Sequence, residues 1–327
     1  MLRSPRLIVA LALSASVLPL ACRSQQPVAT AALRPPESAY VVTSGSVPPG
    51  FYETLSRAGI APEALACNSE NRYSHELRDD ASVAADHLLD GLEANEVTPD
   101  PEALHDSVRD VVFWWMVRAV LVEGDNNNLG AIVLADHWWT DEHGVRRPVV
   151  VFRSGFTPDP AAPGSCYSSL LEAGGVRHVV NLYDGEMVVD DLVGGERRAA
   201  SAAGASYVVT ADKDYGTWRN ALREEVQPGP ERDAALADLG RLIRQEILAP
   251  GGRPPRGNIL IHCGGGMHRS GMVSGILQSA VNHDPWPEIE AIYRYHTGYR
   301  DERHPGGFEP GNLEVIRDFD PSLLGPQ

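Results

Sequence analysis

Lysine is nearly missing from this chain of 327 residues: Lys213 is the only one, so every other member of the 28 basic residues is an arginine. Any cationic recognition here falls to guanidinium groups. Positive charge as a whole is scarce, with 28 basic against 44 acidic residues and a net charge of −16. A chain this acidic is a poor match for nucleic acid or for an anionic membrane face. Four cysteines over this length are too few for a disulfide scaffold. Long apolar runs are also absent; the run at residues 7–18 falls short of the roughly 20 residues a bilayer core requires. What the chain does have is 43% hydrophobic residues, enough for a sizeable core, which excludes wholesale disorder.

That one apolar run sits behind Arg3 and Arg6 and ahead of small residues, the pattern of an export signal over residues 1–22. Its end, Leu18-Pro19-Leu20-Ala21-Cys22, resembles a bacterial lipoprotein cleavage box with Cys22 as the lipidated residue, although Pro19 stands where that box usually has leucine. A plain secretory signal is the alternative. Both readings put the mature protein outside the cytoplasm, periplasmic or anchored to the outer membrane by lipid, or else secreted. The membrane is then met only through that anchor. Residues 23–50 are rich in Gln, Pro, Ala, Thr and Ser and read as a flexible tether.

Residues 51–129 read as a helical extension. Its best helix follows Thr98-Pro99-Asp100-Pro101-Glu102, with Leu104, Val108, Val111, Val112, Trp115, Met116 and Ala119 at helical spacing and Trp114 and Trp115 as core or packing residues. From residue 130 the texture changes. Strands are predicted at 148–152, 176–182, 205–210 and 258–262, and helices at 164–173, 232–247 and 270–281. Such alternation predicts an α/β fold over residues 130–320, with a mostly parallel central sheet flanked by helices. Sheets of this kind bind ligands beyond the carboxyl ends of their strands.

One stretch lies at such an end: Ile261-His262-Cys263-Gly264-Gly265-Gly266-Met267-His268-Arg269-Ser270-Gly271. A strand, three consecutive glycines and a helix start let several backbone amides converge on one point, which makes an anion site suited to phosphate. Cys263 belongs at the bottom of that cup. Amide dipoles, the helix end and Arg269 all favour a thiolate, and cysteines so placed ionise at roughly 3.5–7.5 instead of about 8.5. A thiolate facing phosphate is a nucleophile aimed at phosphorus. An inert buried cysteine leaves the glycines and Arg269 unexplained. A zinc site from His262, Cys263 and His268 lacks a fourth ligand at a recognisable spacing.

His262, Cys263, Gly266, Arg269 and Ser270 resemble the signature of the cysteine-dependent phosphatases of the dual-specificity and tyrosine type. Phe152-Arg153-Ser154-Gly155 and residues 175–182 also look like passages of bacterial members. The resemblance covers about residues 130–320. It implies attack by Cys263 to give a phosphocysteine, a two-pronged grip by Arg269, and phosphate binding by the loop amides of Gly264, Gly265, Gly266, Met267, His268 and Arg269. Ser270 would ease departure of the sulfur, and His262 would position the loop without touching substrate. No metal or organic cofactor is implied. Arg153 reads as one half of a structural ion pair.

The resemblance also calls for a general acid after the strand at 205–210, which places it at Asp214, with Asp212 second and Asp233 third. Lys213 between the aspartates would recruit an anionic substrate or simply be exposed. Phosphoprotein is the expected substrate, phosphotyrosine first and phosphoserine or phosphothreonine next. The alternatives are an inositol polyphosphate or other small phosphate ester, and a phospho-ligand-binding lipoprotein without activity. Residues 293–304, with Arg294, Arg300 and Arg303 among aromatics, form either a cleft wall or an ordinary helix and loop. Cys67 and Cys166 are expected to pair or to stay buried, leaving Cys263 free.

Overall fold

The structure, a computed structural model, describes residues 51–67, 127–183, 189–216, 228–303 and 306–325, with isolated helical positions at 83, 86, 87, 90, 111, 115, 118, 218 and 222. The export signal, Cys22 and the tether lie outside the described residues.

Five strands form one sheet. They are β1 (Gly130–Thr140), β2 (Arg146–Ser154), β3 (Val176–Asn181), β4 (Ser206–Val209) and β5 (Asn258–His262), in the order β1-β2-β5-β3-β4. β1 and β2 make an antiparallel hairpin, whereas β2, β5, β3 and β4 run parallel. The helices are α1 (Phe51–Arg57), α2 (Cys166–Glu172), α3 (Asp190–Ala202), α4 (Pro230–Leu242), α5 (His268–Ile276), α6 (Trp286–His296) and α7 (Pro310–Asp318). The α/β class follows from the strand sequences themselves. In β2, Val149 and Val151 join one apolar cluster, while Val150 and Phe152 join the other. In β5, Ile259 and Ile261 face the first cluster and Leu260 the second. A strand with a period of two that is apolar on both sides needs cover on both sides. α4, α5, α6 and α7 cover one face, and α1, α2 and α3 the other. β5, the third strand of five, is buried along its whole length.

β2 to β5 and helices α2, α4 and α5 stand where the alternation places them. β1, α3, α6 and α7 are additions to that pattern. α3 begins Asp190-Asp191-Leu192 and carries Gly194 and Gly195, a composition that hides its helical period. α4 and α5 both end in a wide turn of i→i+5 pitch, over Ile243–Leu248 and Leu277–Asn282 respectively.

Of the two roles expected for Trp115, core or packing, the core role needs correction, because Trp115 is 48% exposed and Val111 on the same stripe is 50% exposed. The buried residue nearby is Arg118, which forks onto Asp191 of α3 with two bonds of 2.7 Å. The Trp115 ring lies 5.1 Å from that guanidinium and covers it from outside. The other residues of that helical stripe lie outside the described residues, as does Trp114.

Phe51, Leu55, Ala58, Ile60 and Leu65 pack into the same cluster as Phe152 and Leu260. A disulfide between Cys67 and Cys166 ties this segment to α2 across a sequence separation of 99. Cys263 is a free, buried cysteine. Among the described residues no helix is long and apolar enough to cross a membrane.

Candidate active site

β5 ends at His262, and α5 starts at His268. The loop between them is held from outside by its carbonyl groups. The Gly264 carbonyl accepts from the Phe156 amide at 3.0 Å. The Gly265 carbonyl accepts from Asn128 Nδ2 at 3.0 Å. Arg153 donates to the Gly266 carbonyl at 2.5 Å and to that of Met267 at 3.3 Å. The Met267 carbonyl also accepts from the Gly271 amide at 3.0 Å. In a trans peptide the N–H of the next residue points opposite to the C=O. Four carbonyls turned outward therefore turn the amides of Gly265, Gly266, Met267 and His268 inward. Among the described residues, the amides of Gly264, Gly265, Gly266 and Met267 donate to no protein acceptor. Amides converging without acceptors make an anion-binding nest.

Two glycines make this geometry possible. Gly266 has φ +68°, and a Cβ there would stand 2.5 Å from the Ser154 carbonyl carbon and 2.6 Å from the Gly155 nitrogen. A Cβ on Gly155 would stand 3.0 Å from the Gly264 oxygen. The end of β2 and the loop thus touch backbone to backbone, a closeness that side chains would prevent.

The alternation of β5 sorts the residues around the nest. Ile259, Ile261 and Cys263 share the face covered by α5, and Cys263 is 4% exposed. His262 faces α3. Its Nε2 lies 3.2 Å from Glu196 Oε2, and both side chains are buried. The same Glu196 oxygen accepts from the Tyr207 hydroxyl at 2.7 Å, and the Glu196 carbonyl accepts from the Tyr167 hydroxyl. Burial first and the Glu196 charge second push both phenols well above the usual tyrosine range, so they remain donors. His262 also meets Phe156 edge-on at 5.1 Å, and its carbonyl accepts from the Leu182 amide at 2.7 Å. It braces the loop from behind.

Arg269 is buried in the first turn of α5, with its guanidinium 5.6 Å from the Tyr183 ring. Ser270 is fully buried, and among the described residues its hydroxyl has no hydrogen-bond partner. The His268 ring leans outward, 2.6 Å from the Gly307 carbonyl and 3.4 Å from Glu309 Oε1.

Arg153 departs from expectation. Among the described residues it makes no ion pair; it grips two loop carbonyls instead. Burial pulls its guanidinium down to about 10, while the charges of Cys263 and Tyr293 act the other way. Asn128 is a supporting residue that the sequence reading lacks. Its Nδ2 bonds both the Gly265 and the His296 carbonyls, and its Oδ1 lies 2.8 Å from His296 Nδ1. Its φ of 49° is one that asparagine tolerates better than most residues, and the run Asn126-Asn127-Asn128 was the available signal.

The acid candidates sit on the segment after β4, at the same carboxyl edge of the sheet as the loop. Asp212 and Asp214 are both exposed, and Asp212 Oδ2 is 3.6 Å from Arg197. Asp233 is exposed in the first turn of α4. Lys213 is half-exposed, with Nζ 3.9 Å from Glu246 Oε1.

No protein-family model matches this chain, and no match was found among curated proteins. Solved structures do match. One is the core catalytic domain of the PP-IP phosphatase SIW14 from S. cerevisiae in complex with citrate, at 17% identity, covering 52% of this chain and 80% of that chain, with a TM-score of 0.34.

Proposed function

We propose that the chain hydrolyses phosphate esters through a phosphocysteine intermediate. The observation that carries this reading is the outward carbonyl ring, which turns successive loop amides toward one point between Cys263 and the start of α5. In the first step the Cys263 thiolate attacks phosphorus. An S–P bond forms, the ester O–P bond breaks, and Asp214 gives its proton to the leaving oxygen. In the second step Asp214 takes a proton from water, the water oxygen attacks phosphorus, and the S–P bond breaks to release orthophosphate. Arg269 holds two phosphoryl oxygens with its planar fork. Ser270, buried without another partner among the described residues, donates a hydrogen bond to the sulfur as it departs as a thiolate.

The test is release of phosphate from p-nitrophenyl phosphate by reduced protein with chelator present. Cys263→Ser and Arg269→Lys should abolish it, and rapid acid quench should trap phosphate on Cys263. Wild-type turnover no faster than that of Cys263→Ser overturns the reading. Tight phosphate binding without turnover selects the binding-protein alternative.

For the substrate, inositol polyphosphates and other small phosphates form the class to which the name of the compared yeast structure points. Phosphotyrosine, then phosphoserine and phosphothreonine, form the class expected from the sequence. A panel of inositol hexakisphosphate, an inositol pyrophosphate and the three phosphopeptides separates them by kcat/KM. A location outside the cytoplasm is part of the proposal. It is supported by the export pattern of residues 1–22 and by the Cys67–Cys166 disulfide, a bond that persists in oxidising compartments. The mass of the mature N-terminal peptide tests both cleavage and lipidation at Cys22.

A further inference from the structure

The segment carrying Asp214 continues from β4, the edge strand of the sheet, and five of its residues, Ala211, Asp212, Lys213, Asp214 and Gly216, are exposed. A carboxyl on such a segment meets a leaving oxygen at hydrogen-bond distance only if the main chain beneath it is fixed. Two side chains from a single helical run fix it. Arg241, near the end of α4, donates through Nη2 to the Asp214 carbonyl, and that guanidinium is itself held by Asp238 Oδ1 at 2.7 Å. Glu246, in the wide turn that follows, accepts the Tyr215 hydroxyl on Oε1, with Lys213 Nζ 3.9 Å from the same oxygen. Its other oxygen stands 3.9 Å from His178 Nε2. The Tyr215 ring is buried, with the Arg241 guanidinium 5.6 Å from its centroid and Glu246 at its hydroxyl.

The change of pitch at Ile243–Leu248 gives this arrangement its geometry. In an unbroken α-helix, positions 241 and 246 point to different sides. A turn of i→i+5 pitch brings residues five apart toward one line. Glu246 is also a costly way to fill that space. A buried carboxylate is worth keeping only where its polar contacts are used, and this one accepts a hydrogen bond from Tyr215 and pairs its charge with Lys213, the residues either side of Asp214.

We propose that Arg241 and Glu246 are positioning residues for proton transfer: they hold the Asp214 main chain and the Tyr215 hydroxyl so that the Asp214 carboxyl is presented to the leaving oxygen. The inference rests on the phosphocysteine reading and on Asp214 as its acid. It predicts a defect in the first step, read as kcat/KM, that is confined to esters whose leaving group needs a proton; the second step, in which Asp214 is the base, is common to all esters and enters kcat alone.

The experiment compares phenyl phosphate, a poor leaving group, with dinitrophenyl phosphate, which leaves unaided, for wild type, Tyr215→Phe, Glu246→Leu and Asp214→Asn. Tyr215→Phe keeps the ring and removes only the hydroxyl, so it tests the contact even where Glu246→Leu fails to fold. General acids contribute about 10²–10⁴-fold. Tyr215→Phe should therefore lose about tenfold or more in kcat/KM, which reports the first step alone, on phenyl phosphate, and less than about threefold in kcat/KM on dinitrophenyl phosphate. In an Asp214→Asn background it should cost almost nothing further, because the two changes then remove one function. Equal losses on both esters, or no loss on phenyl phosphate, overturn the proposal. If Asp214→Asn is indifferent to the leaving group while Cys263 is still required, the choice of acid is wrong and the inference falls with it. If neither ester depends on Cys263, the phosphocysteine reading itself has failed.

Discussion

Replacing Arg153 by methionine should cost activity heavily and stability hardly at all. The change keeps an apolar stem of similar length and removes the guanidinium that grips the loop. The Gly266 carbonyl is then left buried without a donor, a penalty of about 1–3 kcal/mol. The Met267 carbonyl keeps the Gly271 amide at 3.0 Å and so is not orphaned. Against that penalty stands the cost of burying the charge in the first place. A fall from 12.5 to about 10 corresponds to about 3 kcal/mol, and methionine no longer bears it. The two effects are of similar size and opposite sign, so unfolding free energy should move by no more than about 1–2 kcal/mol, as often found when buried charges are replaced by apolar groups. Activity has no such compensation. With the Gly266 carbonyl released, its peptide can rotate and carry the Met267 amide out of the nest. One such donor is worth about 10²–10³ in rate. Urea unfolding and p-nitrophenyl phosphate hydrolysis, measured on the same preparation, should show a near-unchanged midpoint and a loss of about a hundredfold in kcat/KM. Full activity, or stability reduced by more than about 4 kcal/mol, would refute the assignment of Arg153 as the clamp of this loop.

Three further outcomes follow from the same contacts. Reduction of the Cys67–Cys166 disulfide, which closes a separation of 99 residues, should lower stability by roughly 4–5 kcal/mol on chain-entropy grounds; an unchanged Tm in dithiothreitol would count against it. Glu196→Ala strands the Tyr207 hydroxyl and the buried His262 ring, and should destabilise by about 3–5 kcal/mol, readable as an earlier urea midpoint. His296 is held well below its ordinary value, first by burial and then by the charge of Arg153. Its folded value lies below its unfolded one, so its contribution to stability is complete above about pH 6.5 and is lost as pH falls below that. Imidazole NMR should show His296 still neutral at pH 6, and a titration midpoint at or above 6.5 would contradict this.

The parts of the molecule that could be read in the sequence are those whose reason is local. β5 was legible because Asn258-Ile259-Leu260-Ile261-His262 is apolar throughout its interior and ends at glycines. The loop was legible because the spacing from Cys263 to Arg269 is part of its chemistry. The supporting contacts were not, since each joins residues far apart in the chain. Asn128 meets Gly265 across 137 positions and Arg153 meets Gly266 across 113. Nothing near Glu196 in its own helix marks it as the companion of His262. Trp115 misleads for the opposite reason: helical spacing shows which residues share a stripe, and says nothing of a long arginine beneath an indole. β1 escapes notice because its inner half, Gly130 to Ala135, is apolar at every position and its outer half mixes Asp136, His137, Trp138, Trp139 and Thr140, so the alternation in its burial is not visible in its sequence.

The clasp between the loop and its neighbouring strands has a bearing on how substrate preference can change in this protein. The Phe156 and Leu182 amides that fasten Gly264 and His262 come from the ends of β2 and β3, the strands flanking β5. Loosening the nest therefore means loosening the middle of the sheet, and those two amides should be among the slowest in the molecule to exchange with deuterium. A ligand entering such a nest has almost no ordering left to impose. Substitutions that alter selectivity should consequently be tolerated at the rim, in residues 210–216 that leave β4, and not on the floor.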